Sequence, residues 1–127
     1  MSDLASKIFE DIRVKKLIGN SGTPTATIGS SFTGTVAVSG NDMAGTVTVT
    51  ITAATSFPTL APYFQLNFNT AYATAPAVLF WPANASAALL SGIYTKLPTT
   101  TSVQLASANA GTAPASATYV WHYHVIQ

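Results

Sequence analysis

The hydrophobic pattern along this chain changes its period once. Over residues 3–13, Leu4, Ala5, Ile8, Phe9 and Ile12 share one face at about 100° per residue, with Lys7, Glu10 and Asp11 opposite. This spacing predicts a short helix, capped by Ser2 or Asp3, with Asp3 also suited to the positive end of the helix dipole. Val14, Leu17 and Ile18 would fall on the polar side, so the helix is expected to end near Arg13 and residues 14–18 to run extended. Gly19-Asn20-Ser21-Gly22-Thr23-Pro24 then reads as a linker or turn cluster. A helix of about three turns is marginal in water by itself, so its apolar face calls for a partner. Packing on its own domain and docking on another chain both stand as readings.

From about residue 25 the period becomes two. Val47, Val49 and Ile51 alternate with Thr46, Thr48, Thr50 and Thr52, and Phe64, Leu66 and Phe68 alternate with Gln65 and Asn67. Such alternation makes half-buried strands with one apolar and one polar face. Further strands are predicted at 32–38, 77–81, 91–97, 102–106 and 117–126. Ser39-Gly40-Asn41-Asp42, the Pro58/Pro62 stretch, Trp81-Pro82-Ala83-Asn84, Pro98 and Ala110–Pro114 supply the turns between them. Residues 83–90 fit either one helical turn or a loop. About seven short strands without a second helix predict an all-β chain, an antiparallel β-sandwich of jelly-roll-like form. The expected organisation is an N-terminal helix and extended arm over 1–22 and a sandwich body over 23–127.

Charge sharpens this division. Only 7% of the 127 residues are charged, against about 25% in ordinary domains. Asp3, Lys7, Glu10, Asp11, Arg13, Lys15 and Lys16 all precede residue 17; beyond it stand only Asp42 and Lys96. Thr, Ser, Asn, Gln, Ala and Gly must therefore cover the body. That surface suits a protein packed against its own copies or a larger assembly better than a free monomer. It lacks the basic stripe a nucleic-acid partner needs. The free edges of Thr-rich, charge-poor strands also invite pairing, which a closed oligomer would cover. Cysteine is absent, so disulfides and thiolate metal sites are excluded. The sequence shows no leader pattern and no apolar run of about twenty residues, so a soluble chain made in a cytoplasm, with no membrane partner, is expected.

Candidate chemistry is sparse. Glycoside hydrolysis needs two carboxylates, and the body has one, Asp42, which reads as an Asx-type turn residue. Asp42, a histidine and a serine make a triad only on paper, because no Gly-x-Ser-x-Gly elbow marks a nucleophile. The expectation is no enzyme and no cofactor. His122 and His124 lie on one face of the last predicted strand with Val120 and Ile126, while Tyr119, Trp121, Tyr123 and Val125 face the other way as core. Two imidazoles spaced in this way reach one metal, but further ligands are lacking within the chain, and no metal is expected. Tyr63, Tyr72, Trp81 and Tyr94 fall near strand ends; they are sugar-stacking platforms if exposed, core or interface anchors otherwise. Asn84-Ala85-Ser86 matches a glycosylation acceptor, which means nothing without secretion.

The order of these elements resembles a known group. The Gly-Thr-Val-Thr-Val-Thr strand is followed by Phe68 and Ala71-Tyr72-Ala73-Thr74-Ala75-Pro76 before an apolar strand. Pro82-Ala83-Asn84-Ala85 and a closing Tyr119-x-Trp121-x-Tyr123 strand come next. Over about residues 20–127 this is similar to the small β-sandwich domains of tailed-bacteriophage virion proteins, found in capsid decoration proteins and in head and tail fibres. The resemblance implies a virion component assembled as a homotrimer. A chain that opens with its own short arm fits a decoration (cement) protein on the capsid surface, held on the major capsid protein, better than a fibre tip. The alternative is a receptor-binding fibre module that recognises a host surface glycan. In a trimer with the last strand at its axis, six imidazoles would converge, an arrangement similar to iron-holding His-x-His pairs of some phage spikes. Under the decoration reading, Leu4, Ile8, Phe9 and Ile12 form the apolar anchor and Arg13, Lys15 and Lys16 a basic cluster that guides docking.

Overall fold

A computed structural model describes residues 22–54, 57–110 and 113–127. The helix expected at 3–13 and the extended stretch at 14–18 lie outside them. Eight strands follow one another: β1 (Thr25–Ile28), β2 (Phe32–Gly40), β3 (Ala44–Ala54), β4 (Pro62–Asn67), β5 (Ala77–Pro82), β6 (Ile93–Thr95), β7 (Ser102–Ser107) and β8 (Ala117–Ile126). Among the described residues one short helix, α1 (Ala85–Ala88), sits between β5 and β6. The strands form two four-stranded sheets, ordered β1-β4-β7-β6 and β2-β3-β8-β5, and every pairing is antiparallel. The expected β-sandwich is therefore observed. Two hairpins, β2–β3 and β6–β7, close inside a sheet, and the other connections cross between the sheets.

Alternation explains the layering. Val47, Val49 and Ile51 of β3 and Tyr119, Trp121, Tyr123 and Val125 of β8 turn inward from one sheet. Phe64 and Leu66 of β4 and Val103 and Leu105 of β7 turn inward from the other. Trp121 is the keystone of the contact, with ring centroids 5.5 Å from Phe64 and 5.9 Å from Tyr63. Tyr63 continues the cluster to Phe57 and Phe32, at 5.0 Å and 5.6 Å. Each large side chain so buried contributes about 1.5–3 kcal/mol relative to exposure.

The strands differ from the pattern in instructive places. β1 was not separately expected, because Thr25-Ala26-Thr27-Ile28 carries only one large apolar residue; its pairing with β4 makes it a strand. The stretch 91–97 shortens to Ile93–Thr95, since Gly92 adopts a left-handed φ of 64° and the chain turns again at Pro98. Of the two readings of residues 83–90, the helical turn is found. The Asn84 side chain caps it, accepting from Ala87 N at 3.0 Å. The same oxygen accepts from Val120 N at 3.2 Å, and Asn84 Nδ2 donates to the Thr118 carbonyl at 2.9 Å, which ties the turn to β8.

Candidate functional site

The seven residues expected to contact a partner, Leu4, Ile8, Phe9, Ile12, Arg13, Lys15 and Lys16, all lie outside the described residues. Within the body, three places hold the chemistry that the sequence singled out: the outer face of the β2-β3-β8-β5 sheet, the turn around Asp42, and a cleft beside α1.

The outer face is built by register. On β8, His122 lies between Thr46 of β3 and Trp81 of β5, and His124 lies between Ala44 and Leu79. The two histidines share this outward face, as their spacing requires. The imidazole Nδ1 of His122 is 3.0 Å from the Thr46 hydroxyl, and the Trp81 ring tilts beside it at 5.7 Å between centroids. Among the described residues, no group of three or more His, Cys, Asp and Glu comes together around either imidazole. On the β2–β3 half of the face the outward side chains are small and polar, and Thr50 and Thr118 hydroxyls meet at 3.3 Å across β3 and β8. On the β8–β5 half, beside Thr118 and the two imidazoles, stand large apolar side chains: Leu79, Trp81 and Ile126 stay 55%, 45% and 46% exposed.

The opposite outer face, on the β1-β4-β7-β6 sheet, differs in kind. Gln104 Nε2 donates to Gln65 Oε1 at 2.8 Å, and Gln65 Nε2 donates to Asn67 Oδ1 at 2.7 Å. Asn67 Nδ2 reaches the Thr27 hydroxyl at 3.4 Å. This row of amides satisfies itself and offers little drive for docking.

Asp42 is not the turn-former that its position suggested. Asn41 does that work: its Oδ1 accepts from Met43 N at 2.9 Å and Ala44 N at 3.1 Å. Gly40, at a φ of 126°, completes the reversal. Asp42, 2% exposed, instead points into the loop after β4 and accepts Asn69 N on Oδ1 at 2.7 Å and Thr70 N on Oδ2 at 2.8 Å. Its carbonyl accepts the Tyr72 hydroxyl at 2.8 Å, and the Tyr123 hydroxyl donates to the Asn41 carbonyl at 2.6 Å. Both oxygens of the carboxylate thus accept from the backbone, which ties the β2–β3 turn to the loop after β4. Burial raises the pKa of Tyr123, and the nearby Asp42 charge and Tyr72 add to the effect. Tyr72 is raised by burial and then by Asp42.

The four aromatics considered as platforms separate cleanly. Tyr63 is core, and burial raises its pKa as well. Tyr72 packs edge-on against Phe68 at 4.9 Å and is half-buried, as is Tyr94. Trp81 alone presents a broadly exposed ring. The cleft beside α1, of about 350 Å³, is lined by Phe57, Tyr63, Leu89, Leu90, Ser107 and Asn109 among others, and among the described residues its lining holds no carboxylate, imidazole or amine. It offers apolar contact, hydroxyls and an amide.

The exposed half-face on β5 and β8 escaped sequence reading for a definite reason. Ala77-Val78-Leu79-Phe80-Trp81 is apolar without interruption, so alternation could not say which side faces water. Comparison with family models, with curated proteins and with solved structures finds no match to this chain.

Proposed function

We propose that this chain is a structural virion protein of a tailed bacteriophage, a decoration protein that binds and stabilises the capsid as a homotrimer. The observation that carries the reading is the partition of charge. Seven charged residues crowd the first sixteen positions, and the body keeps two. Of those two, Asp42 is buried and bonded to backbone amides, and Lys96 is half-buried. What remains outside is hydroxyl, amide and apolar surface, suited to contact with other protein rather than to dispersal as a monomer. The arm supplies what the body lacks. Leu4, Ile8, Phe9 and Ile12 anchor it in an apolar groove of the major capsid protein, and Arg13, Lys15 and Lys16 steer it there and line the rim.

The test uses undecorated shells and co-sedimentation. The full chain should pellet with shells, and a chain lacking residues 1–18 should stay in solution. Ile8→Ser with Phe9→Ser should weaken binding more than Lys15→Ser with Lys16→Ser, because buried anchors hold and rim charges guide. Wild-type binding by the truncated chain would remove the arm as anchor and move the contact onto the sandwich.

A second reading, a fibre module that recognises a host glycan, has one observation in its favour: the exposed indole of Trp81 beside the His122 ring. Indole faces stack on sugars, and imidazole can bond a hydroxyl. Binding of surface polysaccharide that is lost in Trp81→Ala would favour this reading over decoration.

A further inference from the structure

The outer β8–β5 half-face gives the proposed trimer a specific contact surface. We infer that copies of this chain associate through Leu79, Trp81 and Ile126, with His122 and His124 between them. The inference rests on the homotrimer of the proposed function and assigns its interface.

Three observations select a second copy as the occupant. The first is charge. Around a three-fold axis the side chains nearest the axis meet their own copies, so a fixed charge there would face its like, which costs energy. The strands of this face carry no Asp, Glu, Lys or Arg at all, from Phe32 to Ala54, Ala77 to Pro82 and Ala117 to Ile126, apart from Asp42 in the β2–β3 turn, which is buried. A charged partner would find no complement here, and an identical face meets no repulsion.

The second is the edge. Sheet edges are normally blunted by shortness, bulges or charge. β1 has four residues and β6 three, with Lys96 directly after it. β2 is broken by a register shift between Thr33 and Gly34. β5 has none of these devices: it pairs with β8 in unbroken register over all six residues, and only its last residue is proline. Among the described residues, no backbone hydrogen bond joins β5 to any element other than β8. An open edge of this kind is covered by packing against another chain, and in a three-fold assembly the neighbouring copy lies there.

The third is contrast within the molecule. The other sheet turns a self-bonded amide row outward. The apolar side chains at 79, 81 and 126 lie together on one face around β8, whereas Leu97, 95% exposed, lies on the segment that follows β6 in the other sheet. A clustered apolar patch marks an interface, and a single exposed leucine does not.

The experiment measures the mass of the full chain by sedimentation at micromolar concentration, without shells. Wild type should be an oligomer. Trp81→Glu should be a monomer with an unchanged circular dichroism spectrum, since the indole is nearly half exposed and its loss leaves the core intact. Ile126→Glu, at the end of β8, gives the same reading independently, and Leu97→Glu should stay associated. Acrylamide quenching adds a second readout. Trp121 is buried, so quenching reports Trp81 and should rise as wild type is diluted into monomers. A monomeric wild type, or Trp81→Glu and Ile126→Glu with wild-type mass, overturns the inference. A monomeric wild type in which Trp81 becomes quenchable only after Ile8 and Phe9 are changed to Ser would assign the face to residues 1–18 of the same chain, and also overturns it. Because shells are absent, association retained by a protein that fails to bind shells would count against decoration alone.

Discussion

Replacing Asp42 removes the acceptor for two backbone amides in one step. Its carboxylate receives Asn69 N at 2.7 Å and Thr70 N at 2.8 Å, both within the range of charge-assisted hydrogen bonds. Bonds to a charged group contribute about 1.5–3 kcal/mol each. Asn69 and Thr70 are exposed, so water can reach their amides when the carboxylate is gone. The lower end of the range then applies, and Asp42→Ala should cost about 3 kcal/mol. Asp42→Asn keeps one acceptor oxygen and turns an amide NH₂ toward the other N–H, so its cost should be about 2 kcal/mol. Tyr72→Phe removes only the 2.8 Å bond to the Asp42 carbonyl and should cost about 1 kcal/mol. Urea unfolding followed by the fluorescence of buried Trp121 measures all three, with the slope expected to stay constant while the midpoint falls. For a body of this size, 3 kcal/mol corresponds to a drop in melting temperature of about 10–20 °C. If Asp42→Ala and Asp42→Asn both unfold within about 0.5 kcal/mol of wild type, the carboxylate does not hold the loop and the reasoning fails.

Alkali should destabilise the protein. Burial holds the phenols of Tyr63, Tyr72, Tyr119 and Tyr123 above their ordinary value of 10.0, so the fold keeps them neutral where the unfolded chain has lost its protons. That contribution is intact below about pH 10 and is lost as pH rises toward the folded-state values. The urea midpoint should therefore hold up to about pH 10 and fall above it, with tyrosinate absorbance growing as the fold is lost; a midpoint that stays flat to about pH 11 would contradict the sign. Leu60 is an exposed residue at a φ of 66°, a conformation that strains a branched side chain. Leu60→Gly should stabilise by about 0.5–1 kcal/mol, the strain released less the entropy glycine gives the unfolded chain; a loss of stability in the same urea assay would contradict this.

The parts of the fold that alternate were legible. Val47, Val49 and Ile51, and Trp121 between Tyr119 and Tyr123, declare their faces by spacing alone, and the structure buries them all. Tyr63 was not placed as firmly, because the ladder shifts register between Pro62 and Phe64 and turns two consecutive aromatics inward. The roles of Asn41 and Asp42 could not be separated locally. Either side chain can build an Asx turn, and the partner that decides the matter, the backbone at 69–70, is more than twenty-five residues away. The β8–β5 patch was hidden by a run apolar on both faces. Its counterpart, the amide row from Gln104 to Thr27, depends on a strand order that adjacent pairs of residues do not encode.

The central claim, a structural protein that coats a phage head, is tested most directly by its proportion in purified particles. A stained gel of virions produced in cells that express this chain measures that proportion against the major capsid protein. Decoration predicts a band comparable in molar amount to the shell subunit, removed together with the decoration when residues 1–18 are deleted. A trace band confined to the particle's fibres, or none at all, would contradict it.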